Sequence, residues 1–281
     1  MRPENRDGEN GMPGRAHPFE AEDRRRVTEA FSLLTASARV RRAPDLLCRA
    51  CVDLLPVSGA SISISGSSTV QALWCASDDT AARLAEAQYT LGDGPCQSAL
   101  ARAAPVLAPD LTAGPDARRW PVFAHQAVEL GVRAVFSLPL GTGALALGTL
   151  DLYRDTAGPL SVRDLRIALL VRDAVTFAVL SLEAASSDAE SADGSEVASW
   201  VDAAQADHVE VHQAVGMVMV QLGVDPDQAL DRLRAYAFAH GHTVTEVAQE
   251  ILARTLRLRP TGDDRPKGRG RLGDEGDGER S

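Results

Sequence analysis

Apolar positions between residues 213 and 257 recur every three or four residues, and start and stop signals divide them into three predicted helices. Asp225-Pro226 places a side-chain acceptor at an N-cap and a proline at the first helical position, with Gln228 placed to reach back to the cap. Thr243 and Glu246 repeat the device. Gly223 and Gly241 supply the left-handed or flexible positions on which the first two helices can end.

Upstream the period changes. Val27, Ala30, Phe31, Leu34 and Ala38 predict a helix over 20–38, and a second over 45–55 starts beside Pro44 and stops at Pro56. Residues 59–65 alternate Ala60, Ile62 and Ile64 with serines, which predicts a strand with one wet face. Residues 69–76, with Val70, Trp74 and Cys75 apolar, predict its partner across a hairpin at Gly66-Ser67-Ser68. Helices over 79–88, 95–102 and 120–130 follow, with a brief strand at 105–107 among them. Strands at 134–140 and 145–153, joined through Gly141-Thr142-Gly143, lead into a long helix over 161–184. Helices at both ends of an antiparallel sheet make an α+β domain, followed by an all-α module of three helices.

Two apolar stripes share a three-four alternation: Ala168, Val171, Val175, Ala178 and Leu182 before residue 186, and Val201, Ala204, His208, Val211, Val215, Val218 and Leu222 after it. That period pairs helices side by side and predicts a homodimer seam; packing of each stripe on its own domain is the alternative. His208 within the seam is either a pH-responsive group or simply an accommodated ring. The Ser-, Ala- and acid-rich stretch 186–197 between the stripes reads as a linker.

Charge narrows the choice of partners. With 29 Lys and Arg against 39 Asp and Glu, the net charge of −10 opposes indiscriminate binding to nucleic acid or acidic membranes. A basic run from Arg254 to Arg271 nevertheless carries a local excess of five positive charges. It reads either as part of a cationic footprint or as a solvated tail, with disorder expected over 1–19 and 260–281. The length, 281 residues, suits about two domains. No apolar run reaches the ~18 residues of a membrane span and the N-terminus is polar, so a cytoplasmic location is expected.

The residues Gln213-Ala-Val-Gly-Met-Val-Met219, with 227–237 and 244–252 in that order, resemble the ANTAR domain, which implies an RNA-binding antitermination module over 198–259. The resemblance implies that Ala214 and Gly216 let a stem-loop approach closely, whereas Val215 stands where the family commonly has Lys or Arg. Between Trp200 and Arg259 eight acids outnumber five arginines, so phosphate neutralisation falls to a clustered few. The candidates are Arg232, Arg234, Arg254, Arg257 and Arg259, aided by His240 and His242, with Tyr236 to stack on an unpaired base.

Over roughly 45–182 the motifs Leu91-Gly-Asp-Gly-Pro-Cys96, Pro105-Val-Leu-Ala-Pro-Asp110, Arg119-Trp120-Pro, 131–140 and 148–153 resemble a GAF domain of the actinobacterial GAF–ANTAR type, which with its flanking helices is expected over 20–185. That resemblance implies a small-molecule sensor or dimerisation unit with an unidentified ligand. Cys96, Asp110, Arg119 and Trp120 are the candidate ligand-site residues, with packing and loop capping as the alternative; Cys96, at a helix N-terminus, is also the candidate reactive thiol. Cys48-x-x-Cys51 lacks a second ligand pair and reads as apolar filling. No nucleophile elbow, phosphate-cradling loop or metal-spaced His and Cys set is present, so no enzyme is expected. Competing readings are a protein-interaction regulator without nucleic-acid binding and a DNA-binding helix-turn-helix regulator.

Overall fold

The computed structural model describes residues 18–35, 44–65, 71–142, 145–190 and 200–258. Along these run α1 (Pro18–Thr35), α2 (Asp45–Leu54), β1 (Gly59–Ser65), β2 (Gln71–Ala76), α3 (Asp79–Leu91), α4 (Pro95–Arg102), β3 (Val106–Ala108), α5 (Gly114–Arg119), α6 (Pro121–Glu129), β4 (Ala134–Thr142), β5 (Leu145–Arg154), α7 (Val162–Glu190), α8 (Trp200–Leu222), α9 (Pro226–His240) and α10 (Val244–Leu252). The strands form one antiparallel sheet in the order β2-β1-β5-β4-β3.

The sheet is covered on both faces. Ile62, Leu138, Leu150 and Leu152 face α1, α2 and α7, where Ala168, Val171, Val175 and Ala178 are fully buried. The helix stripe predicted to pair with a second copy therefore packs on its own sheet. Val211, Val215 and Val218 of the second stripe likewise enter the core built by α8, α9 and α10. The side chains of Leu182, Val201, Ala204 and His208 lie outside the described residues.

The opposite face corrects the expectation of a wet strand. Ser61 and Ser63 are buried because α3 crosses β1 and β2 while α4 crosses β4 and β5. With Ser137, Thr149 and Asp151, which share their register, they form a polar row inside the domain. The row satisfies itself in part: the Ser137 and Thr149 hydroxyls both donate to the Asp151 carboxylate. Burial pushes that carboxyl up to about 6, against the lowering effect of the two donors.

Helix boundaries follow the caps. Asp78 accepts from the Ala81 N–H at 2.9 Å to start α3, which runs past its predicted end at 88 to a left-handed Gly92. Asp225 accepts from the Gln228 N–H at 2.8 Å, and Thr243 with Glu246 closes a full capping box. α7 continues to Glu190, so the first five residues of the predicted linker are helical. Of the disorder predicted over 1–19 and 260–281, residues 1–17 and 260–281 lie outside the described residues, as do the 66–68 hairpin, Gly143 and linker residues 191–197, whereas residues 18 and 19 begin α1.

Candidate nucleic-acid interface

The three C-terminal helices bury Val211, Ala214, Val218, Leu230, Leu233, Val247 and Ile251 against one another. After α10 the chain turns back sharply. Arg254 takes a left-handed conformation, φ 61°, and the Thr255 and Leu256 N–H groups both donate to the Glu250 carbonyl, at 3.0 and 3.1 Å. Leu258 is thereby buried and its carbonyl accepts from the Gln221 side-chain amide, which ties the returning segment to α8. Between α8 and this segment opens a groove of about 1020 Å³. Its α8 wall presents Gln213, Gly216, Met217 and Val220; Arg254 and Arg257 stand on the other side.

Gly216 is the informative residue of that wall. A glycine inside a helix costs ~1 kcal/mol relative to alanine. Among the described residues a Cβ built at Gly216 would meet nothing within 4 Å, so no packing among them requires the glycine. Val220 beside it is 88% exposed, although it sits on a helix that buries four of its neighbours. Arg254 adds a third oddity, since a left-handed non-glycine residue is strained by ~1–2 kcal/mol. Among the described residues no carboxylate pairs with Arg254 or Arg257, and both are exposed.

The other predicted cations are divided. Arg234, only 19% exposed, is turned away from the groove and onto the α+β domain. Its Nε donates to the Tyr89 carbonyl at 3.2 Å, its guanidinium lies 5.7 Å from the centre of the Tyr89 ring, and Asp231 stands 3.7 Å away. Burial lowers its pKa against the raising effect of Tyr89 and the aspartates. Arg234 is thus committed to an internal contact, contrary to its expected place in an RNA footprint. Tyr236 is stacked on His240 at 3.9 Å, so one face of its ring is already occupied. His240 Nδ1 lies 2.8 Å from the Tyr236 carbonyl, and His242 lies 3.6 Å from Glu250. Arg232 is half-buried on α9, and Arg259 lies outside the described residues. Ala214 is fully buried and serves the core; of the small pair only Gly216 reaches the surface. Val215, at 8% exposed, is also a core residue, which explains an aliphatic side chain there.

The contact that holds Arg234 joins the two halves of the chain. Tyr89 of α3 belongs to the helical core, the Val244 N–H donates to Thr90 Oγ1 at 3.2 Å, and Thr245 donates to Glu86 at 3.4 Å. Burial raises the Glu86 carboxyl, against its hydroxyl donors Thr90 and Thr245. Gly92 lets Arg234 approach, since a Cβ there would lie 3.0 Å from its Nη1. Residues Glu86 to Thr90 gave no sequence signal for this role, because their partners lie about 150 positions away.

The four predicted ligand-site residues of the α+β domain have structural tasks. Cys96 is buried and its N–H donates to Gln88 Oε1 at 2.8 Å. Trp120 is buried and donates to Ser98 at 3.2 Å, with the Arg119 guanidinium over its ring at 4.4 Å. Asp110 caps its own loop, accepting from the Thr112 N–H at 2.9 Å and from its hydroxyl. A polar atom with a different status is Gln88 Nε2, fully buried without a hydrogen-bond partner among the described residues.

Among the described residues no group of His, Cys, Asp or Glu is arranged to hold a metal ion, and no helix is long and apolar enough to cross a membrane. Comparison with known proteins places the ANTAR domain family on residues 201–252. No curated protein matches the chain. Similar solved structures include the GAF domain of a phosphoenolpyruvate-protein phosphotransferase from Coxiella burnetii, with 15% identity, 60% of this chain and 96% of that one covered and a TM-score of 0.45. The corresponding Acinetobacter GAF domain gives 11% identity, 60% and 98% coverage and 0.45. A domain of a putative two-component sensor histidine kinase from Sinorhizobium meliloti gives 16%, 54% and 99%, and 0.43. Residues 201–252 thus match the ANTAR domain family, and they follow an α+β domain built on a five-stranded antiparallel sheet.

Proposed function

We propose that this protein is a signal-responsive RNA-binding regulator that prevents transcription termination by holding a nascent stem-loop in the groove between α8 and residues 254–257. The observation that carries the reading is Gly216: a helix-interior glycine with open space over it among the described residues, beside two arginines that no described carboxylate pairs, in a segment that matches the ANTAR domain. A bare helix surface lets a phosphate backbone or an unpaired base approach closely, and the guanidiniums supply the charge. Arg259 and the basic run beyond it extend the same end of the chain.

In this reading the α+β domain is the input. The Gln88 amide nitrogen, without a partner among the described residues, and the buried polar row on the sheet are the groups that a small polar ligand would engage. Gln88 neighbours Tyr89 and Thr90, which hold α9 and α10, so a ligand that moves α3 acts directly on the RNA-binding module. The protein acts as a cytoplasmic regulator rather than an enzyme, and as a homodimer through the outer side of α7, where Phe177 and Leu180 are exposed.

The helix-turn-helix alternative fares worse for a specific reason. A recognition helix reads bases with its N-terminal residues, and the N-terminus of α10 is held against α3 by Thr90 and Glu86. A gel-shift titration of the full chain with tandem stem-loop RNA, with duplex DNA as competitor, tests the proposal. Retardation at micromolar protein that DNA does not relieve supports it. Absence of any shift in moderate salt leaves the protein-interaction reading in its place.

A further inference from the structure

Two of the four free cysteines face each other across the sheet core. Cys48 on α2 and Cys75 on β2 are 27 residues apart in sequence, and their sulfurs stand 2.9 Å apart, about 0.9 Å beyond the ~2.0 Å of a disulfide bond. Cys51, one turn along α2, instead donates its thiol to the Leu47 carbonyl at 3.1 Å. Cys96 belongs to α4, on the other face of the sheet.

The backbone around Cys75 can take up the remaining distance. Among the described residues β2 lies at the edge of the sheet, paired with β1. Cys75 lies opposite Ile62, and the ladder changes register between Ile62 and Ser63. An irregularity of this kind at a sheet edge lets the strand shift without breaking a run of interstrand hydrogen bonds. Cys75 is also the more accessible of the pair, 7% exposed against 0% for Cys48.

We propose that Cys48 and Cys75 form an oxidation site, at which a hydroperoxide joins them as an intramolecular disulfide that staples α2 to the edge strand β2. The Cys75 thiolate attacks the outer peroxide oxygen, the O–O bond breaks, and the alcohol or water leaves with the released proton. The resulting sulfenic sulfur is attacked by Cys48, whose proton departs with the hydroxyl as a second water. Two thiols are oxidised and one hydroperoxide is reduced. Because β2 also packs against α8, the staple stiffens the support of the first helix of the ANTAR domain. In a reducing compartment the bond lasts only as long as the oxidant does.

The test is a count of free thiols in the reduced full chain before and after a brief hydrogen peroxide treatment. Thiols are labelled with a maleimide under denaturing conditions and read by intact mass. The expected count falls from four to two and is restored by a reductant, and fragmentation links Cys48 to Cys75. Cys51→Ala and Cys96→Ala should each still lose two thiols, Cys75→Ala should lose none, and Cys48→Ala, which lacks the resolving thiol, should form no link and stop at a Cys75 sulfenic acid, one thiol lost. Circular dichroism confirms that each variant is folded. Four thiols retained in the wild type, a Cys48–Cys51 link, or oxygen added to wild-type Cys75 without a link would each overturn the proposal.

Discussion

Replacing Arg254 and Arg257 together by glutamine should weaken RNA binding in a way that salt dependence can identify. Both guanidiniums are exposed beside the α8 groove and neither is paired among the described residues, so each is free to neutralise one phosphate. Each such contact contributes ~0.7–0.9 to the slope of log K against log salt, so the double substitution should lower that slope by ~1.4–1.8. Referred to a 1 M standard, this is a loss of roughly 25- to 60-fold at about 0.1 M salt. Glutamine is chosen because Arg254 is left-handed: both residues carry the same backbone strain, so the change removes charge without altering the turn. Fluorescence anisotropy of a labelled stem-loop, titrated between about 0.05 and 0.3 M salt, reads the slope. A slope equal to that of the wild type would refute the assignment of these two arginines, even if affinity fell.

Arg234→Ala should leave that slope unchanged, because Arg234 is engaged by Tyr89; it should instead destabilise the junction between the two halves by ~1.5–3 kcal/mol, read as a lower or split melting transition. Val215→Lys, which restores the residue type common in the ANTAR resemblance, should destabilise the helical module by roughly 1–3 kcal/mol rather than tighten binding, since the side chain is only 8% exposed; chemical denaturation reads the difference. The Asp151 carboxyl is raised from 3.8 to about 6, so the folded state keeps a proton that the unfolded state gives up. Its contribution to stability is therefore lost as pH rises through roughly 4–6, by ~2–3 kcal/mol in all, and Asp151→Asn should flatten that part of the stability profile.

Much of the local structure was legible because its signals are local. Asp225, Thr243 and Glu246 announced two helix starts, and the Ala60-Ile62-Ile64 alternation gave β1 its bounds. What covers a face was not legible. The serines of β1 looked solvated because alternation reveals only that two faces differ, and the crossing of α3 is a tertiary fact. The helix stripes were ambiguous for the same reason: one period serves a partner helix or the chain's own sheet, and Val171 and Val175 meet the sheet. The site divided along this line. Gly216, Arg254 and Arg257 were visible as residue types and do share one groove. Arg234 was chosen for its charge, and only the fold reveals that Tyr89 claims it. Arg254's left-handed turn, which brings residues 254–258 back against α8, had no glycine to mark it.

Hydrogen exchange of the full chain with and without a stem-loop RNA tests the central claim most directly, because it reports where the RNA sits as well as whether it binds. The account predicts slowed exchange in two separate peptides, one around Gly216 to Val220 on α8 and one covering residues 254–257, with little change on the outer turns of α9. Binding accompanied by protection on α9 and the start of α10 alone, with the α8 groove unaffected, would contradict it.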